Sequence, residues 1–224
     1  PPFISTIIAE DRCHLNGLAI NMDGKGPAFV TAHGTSNDPG GWRPNKVDGG
    51  CLLDVASGEI ILKGLSMPHS PRLHNNKLYL LNSGCGQLLE CSTNSRRVNV
   101  LAQLPGFTRG LDCHGSMAIV GLSRIRESAV FGGLPIAAEM DELRCGIAFV
   151  DLDTGEIIEH LWFLSGVEEI YSTVLIPGYL NPAILGPDSM IDKNQTVWLV
   201  PPLGKTDIKH LRPSTDSTAS CTDP

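Results

Sequence analysis

Two segments in distant parts of the chain, Asp54-Val-Ala-Ser-Gly-Glu-Ile60 and Asp151-Leu-Asp-Thr-Gly-Glu-Ile157, are near copies. In each, an aspartate closes an apolar run, a glycine-containing turn follows, and a second apolar run begins. This constrains the fold more than composition does, because each copy implies the same hairpin, and a hairpin must bury a face against a neighbour. The rest of the chain agrees: 24 Gly and 16 Pro cut its 224 residues into short pieces, and few windows carry a helical apolar stripe.

Taken in order, the pieces pair into cycles. Leu15–Ile20 and Ala28–Ala32 flank the turn Asn21–Gly26, and Cys51–Val55 and Glu59–Leu62 flank Ala56–Gly58. Pro71–His74 with Lys77–Asn82, then Gln87–Cys91 with Val98–Gln103, make a second cycle. Gly110–Cys113 with Met117–Leu122, then Gly146–Asp151 with Glu156–Phe163, make a third. A fourth is partial, with strands expected at Ile170–Ile176 and Thr196–Val200. One helix is predicted, Leu134–Leu143, with Pro135 in its first turn.

Four-strand units recurring every ~40 to 50 residues predict an all-β protein, a β-propeller of four-stranded blades, of which about three and a half to four are present. A β-sandwich also has many short strands. The repeated order of polar mouth and hairpin needs no Greek-key crossover, which favours the propeller. The expected organisation is a propeller domain over residues 1–202, incomplete on its N-terminal side, with loop insertions at 33–50 and 123–145. Residues 203–224 form an expected disordered tail. So few blades leave an open edge, where a second copy or another chain could associate.

A formal net charge of -7 and the absence of any Lys/Arg run exclude a phosphate-tracking surface, so no nucleic-acid partner is expected. No apolar run reaches the roughly 18 to 20 residues that span a bilayer, so no membrane partner is expected either. Seven cysteines without a C-x-x-C pair suggest neither a disulfide framework nor a zinc knuckle. With no signal-peptide pattern, the expected location is cytoplasmic.

In a propeller the leading ends of the innermost strands converge on the channel mouth. This places Asn16, His69, Arg72, Arg109, Glu168 and Glu169 as candidate ligand-binding residues for a small polar or anionic molecule, or a protein partner. Trp42 and Arg43 on the long loop after His33, and Arg124 and Arg126 on the later insertion, could overhang it. The same groups could instead pair with one another and with loop carbonyls. No cofactor is expected; the alternative is a divalent cation such as calcium on Glu169, Asn16 and His69, residues that lack local spacing. Cys13-His14 and Cys113-His114 are discounted as nucleophile and base pairs, because neighbours on a strand face opposite ways. No catalytic residue is identified.

Cys13-His-Leu-Asn-Gly-Leu-Ala19, Gly64-Leu-Ser-Met-Pro-His-Ser-Pro-Arg72, Leu104-Pro-Gly-Phe-Thr-Arg-Gly-Leu111, Gly121-Leu-Ser-Arg-Ile-Arg-Glu127 and Cys145-Gly-Ile-Ala-Phe-Val-Asp151 together resemble a family of mainly bacterial conserved hypothetical proteins. This is a domain of unknown function, joined in some members to tetratricopeptide repeats. The resemblance implies a propeller-like fold, with family members longer at the start, and brings no established activity. A second likeness, confined to Asn16–Ala19, is to six-bladed lactonase and strictosidine-synthase-like propellers. It implies a truncated six-bladed ring and, as an alternative function, metal-dependent hydrolysis with an ion held by Glu and Asn or Asp.

Overall fold

The computed structural model describes residues 4–92, 95, 97–125, 131–139 and 142–179. Contacts divide the chain into two units, Pro1–Leu175 and Ile176–Pro224. Of the second, only a turn closed by the Tyr179 amide on the Ile176 carbonyl falls among the described residues. The expected strand Thr196–Val200, the tail beyond 203 and Arg126 lie outside them.

The first unit is all-β, built of three four-stranded antiparallel sheets, each in simple chain order. The first holds β1 (Leu15–Ile20), β2 (Pro27–Ala32), β3 (Gly50–Asp54) and β4 (Ile60–Leu65). The second holds β5 (Pro68–His74), β6 (Lys77–Asn82), β7 (Gln87–Cys91) and β8 (Val98–Gln103). The third holds β9 (Phe107–His114), β10 (Met117–Ser123), β11 (Gly146–Asp151) and β12 (Ile157–Trp162). Consecutive meanders with their first strands side by side are the arrangement of propeller blades. β1 lies against β5, and β5 against β9.

The packing follows from period-2 alternation. On β6, Leu78 and Leu80 face the first sheet, joining Ala19, Phe29 and Leu52. Tyr79 and Leu81 face the third, joining Leu111, Val120 and Val150. A strand buried on both faces reads as a continuous apolar run, as Leu-Tyr-Leu-Leu does. The sheets approach closely where a side chain is absent: a Cβ on Gly17 would lie 2.7 Å from Pro71 Cδ and 2.8 Å from the Ser70 amide nitrogen.

The two look-alike segments make the same turn. The Asp54 amide donates to the Glu59 carbonyl and the Asp151 amide to the Glu156 carbonyl, both at 2.9 Å. Each aspartate carboxylate also accepts from the turn it begins, Asp54 from Ser57 and Asp151 from Asp153 and Thr154. This is the Asx-turn chemistry expected of aspartate before a tight turn.

Two expectations need correcting. β5 starts at Pro68 rather than Pro71, because a proline is tolerated as a strand's first residue, while Pro71 sits in the bulge between His69 and Arg72. The helix spans only Pro135–Glu139, and Leu143 stands outside it. Residues 170–175 form no ladder among the described residues. They are tied to the third sheet by bonds between side chain and backbone: Ser123 Oγ with the Ile170 amide (2.8 Å), Thr173 Oγ1 to the Ile119 carbonyl (3.1 Å) and the Leu175 amide to Asp112 (2.7 Å).

All six described cysteines are free thiols. Burial pushes Cys51 up to about 11 and Cys91 and Cys113 up to about 12, so these thiols are inert. Among the described residues no helix is long and apolar enough to cross a membrane.

Because Leu80 and Leu81 are both fully buried but on opposite faces of β6, Leu80→Ala and Leu81→Ala should each cost about 2–5 kcal/mol. Urea unfolding checks this, and a loss under about 1 kcal/mol for either would contradict the two-sided core.

Candidate functional site

The two ends of the sheets differ. At one end the strands turn through short segments such as Asn21–Gly26, Asn75-Asn76 and Gly115-Ser116. The two long connections, 33–49 and 124–145, both leave from the other end, where β1, β5 and β9 begin. That end is the mouth, and nearly all the aromatic and imidazole contacts gather there.

Six rings form a row. His14 stacks on His33 at 4.6 Å between centroids, His33 meets His69 at 4.9 Å, His69 meets Phe107 at 5.7 Å and Phe107 meets Phe131 at 5.4 Å. Trp42 packs against both His14 (4.7 Å) and His33 (5.0 Å). One end of the row is pinned by Asp11, which accepts from His14 Nδ1 and from Trp42 Nε1, each at 2.8 Å, and from Arg43 at 3.4 Å. Burial by itself raises the Asp11 carboxyl, but the donors Trp42 and His14 more than offset it and hold the group below its ordinary value.

His69 Nδ1 lies 2.9 Å from the Met67 carbonyl and 2.9 Å from Ser83 Oγ. A carbonyl only accepts, so Nδ1 carries the proton and Nε2 keeps its lone pair. Met67, which presents that carbonyl, has φ 45, and His14 has φ 50. Left-handed backbone at non-glycine residues is held only where the surroundings over-determine it. His33 is 1% exposed, and neither of its ring nitrogens has a hydrogen-bond partner among the described residues. Burial, then the neighbouring His69, His14 and Arg109, lowers His33 to about 2. Burial and Arg109 lower His69 to about 3.

The expected site residues divide into three groups rather than one funnel. His69, Trp42 and Arg43 belong to the ring row or its anchor. Trp42 is 2% exposed, so it fixes the loop inward instead of capping the mouth, and Arg43 lies over its ring at 4.9 Å. Arg109, Arg124 and Glu169 line a narrow cavity with Phe107 and Phe131. Arg109 sits over the Tyr171 ring at 4.2 Å, and Tyr171 donates its hydroxyl to Glu169 at 2.9 Å. The Glu168 carbonyl accepts from the Arg124 amide at 2.8 Å. Asn16 and Arg72 line a different cavity, along β1 and β5.

The alternative cation set is therefore dispersed: Glu169 faces Tyr171, Asn16 accepts from Thr31 Oγ1 at 2.7 Å, and His69 is committed at Nδ1. Among the described residues no three His, Cys, Asp or Glu side chains gather as a metal set. Sequence reasoning missed Asp11 and left His33 as the start of a loop. Asp11 holds Trp42 from 31 positions away, a pairing no local spacing announces.

The chain belongs to the family described as a domain of unknown function, DUF4915, whose model matches residues 1–185. No curated protein matches it. Among solved structures it is similar to the computationally designed Ika8 protein (12% identity, 74% of this chain, 41% of that chain, TM-score 0.44). It is also similar to the designed Ika4 protein (12%, 79% and 86%, TM-score 0.45) and to Kuenenia stuttgartiensis hydrazine synthase (12%, 66% and 37%, TM-score 0.40). The chain spans less than half the length of the Ika8 and hydrazine synthase chains. Likenesses of this strength bear on neither activity nor ligand.

The buried imidazoles set a pH dependence. Unfolded, each titrates near 6.5, while folded His33 and His69 stay neutral down to about 2 and 3. The unfolded chain therefore binds more protons below pH 6.5, and stability, complete above that value, falls as pH drops toward 3. Each histidine contributes a slope of up to about 1.4 kcal/mol per pH unit. Urea unfolding between about pH 7 and 4 should show this, with a shallower slope in His33→Phe; an unchanged slope would mean that His33 is protonated when folded.

Proposed function

We propose that this protein is a propeller-like binding domain that takes a small anionic, polar molecule at the mouth, with Arg109 as its anchor. The observation that carries this reading is the state of Arg109. Arg109 is half-buried as a residue, yet among the described residues its guanidinium has no hydrogen-bond or ion-pair partner, only the face of Tyr171. A guanidinium removed from water is favourable when acceptor oxygens meet its fork of donors, and carboxylate or phosphate groups match that fork. Arg124 adds a second cation to the same cavity, and Glu169 supplies an acceptor for a ligand hydroxyl. The two neutral imidazoles beside Arg109 add no competing positive charge. Phe107 and Phe131 supply apolar wall, and because the cavity between them has a volume of only about 10 Å³, the anion sits at its opening on Arg109 and Arg124 rather than inside it.

Melting of the full chain with inorganic phosphate, citrate and other short polyanions tests the proposal. A bound anion at about a hundredfold excess over its Kd should raise Tm by about 5–10 °C. Arg109→Ala should remove that rise and Arg109→Lys should retain part of it. A rise that persists in Arg109→Ala, or no rise with any anion, overturns the assignment.

A further inference from the structure

The middle sheet is packed on both faces, the first and third sheets on one face each. Alternation and register identify the two faces that remain. On the first sheet Ala19, Phe29 and Leu52 face inward, so the paired set Leu18, Val30, Leu53 and Ile60 faces outward. On the third sheet Ala148 and Val150 face inward, so Ile147 and Phe149 face outward with their β12 partners Leu161 and Glu159.

Both outer faces are apolar and open. Leu18 is 46% exposed and Leu161 49%, and Val30, Ile60, Ile147 and Phe149 are half-buried. Among the described residues each face is covered only in part. Ile4 packs on the Cys51 and Leu53 region of the first. The segment 170–175 reaches only β9 and β10 of the third, through Asp112, Ile119 and Ser123. Apolar surface of this kind on a sheet face marks a place that another apolar surface covers.

Each face also carries an exposed charge on its outermost strand, and the two are opposite in sign. Lys63 of β4 pairs in register with Cys51 and so points outward, and among the described residues no carboxylate pairs with it. Glu159 of β12 bonds only to the amide of adjacent His160, whose ring nitrogen Nδ1 lies 3.9 Å away. Within the chain, successive sheets stack with β1 against β5 and β5 against β9. A third-sheet face laid on a first-sheet face in that order repeats the mode, bringing β12 beside β4 and Glu159 beside Lys63.

We infer that copies of this chain associate head to tail, the outer face of the third sheet in one copy covering the outer face of the first sheet in the next. A second copy is the occupant because the two faces match each other in apolar character, in strand order and in charge. The contact joins unlike faces, so every copy offers both halves, and it closes into a ring where the rotation allows. It uses none of the residues assigned to anion binding at the mouth.

Sedimentation of the full chain between about 1 and 100 μM tests this, with a mass of two or more chains expected. Leu18→Asp and Leu161→Asp place a carboxylate in the contact at positions exposed in the single chain, and each should weaken association by about tenfold or more. Mixed in equal amounts, the two variants should form a species of two chains and nothing larger, because one keeps an intact third-sheet face and the other an intact first-sheet face. Lys63→Glu and Glu159→Lys should each weaken association by about tenfold, and the double variant should restore it. A single-chain mass at about 100 μM overturns the inference, leaving the faces to another partner. So does a mixture that stays single-chain while both variants keep the wild-type urea midpoint, or a double variant no better than the single charge reversals.

Discussion

The middle sheet is the part on which the rest of the structure depends. A four-stranded meander with one apolar face is a poor fold by itself, because its other face stays wet and its edges stay open. Here β6 solves this by being apolar on both sides: Leu78 and Leu80 serve the first sheet while Tyr79 and Leu81 serve the third. Each flanking sheet then buries its inner face on a partner. Moving β6 by one residue would exchange both sets of contacts at once, so the register is doubly specified.

That packing leaves the strand ends to local chemistry, and the two ends use it differently. At the end with short turns, asparagine, glycine and aspartate satisfy the backbone within a few residues. At the mouth the long connections add bonds to distant segments to such local turns. Asp11 gathers Trp42, His14 and Arg43. Ser83 and the Met67 carbonyl together hold His69. The Arg144 amide reaches the Pro105 carbonyl at 2.8 Å. The strained backbone at His14 and Met67 sits within this network, so rigid sheets support a mouth whose geometry is set by tertiary contacts.

The difference between the ends explains what was legible in the amino-acid sequence. Strands such as Lys77–Asn82 and Val98–Gln103 were readable because alternation and turn residues are local signals. β5 was read three residues short because Pro68 and Pro71 look like breaks, and only pairing with β6 reveals a strand start and a bulge. Arg109 and Glu169 line one cavity, although the strand expected to follow Glu169 forms no ladder among the described residues. The dominance of the ring row was not readable, since His14, His33 and His69 come from three separate segments and meet only through sheet packing. The expected single funnel failed for a geometrical reason. Asn16 and Arg72 line a space shared with Leu18, Leu73 and Tyr171, while Arg109 and Glu169 line another with Phe107 and Phe131.

Tyr171 stands between those two spaces. Its ring carries the Arg109 guanidinium on one face and forms part of the wall of the inner cavity, while its hydroxyl is tied to Glu169. It lies on a segment joined to the third sheet by single hydrogen bonds rather than a ladder, so its position is among the more easily altered in the domain. A shift of this ring reshapes both spaces at once, because the same side chain bounds each. One aromatic side chain thus ties the shapes of two neighbouring hollows together.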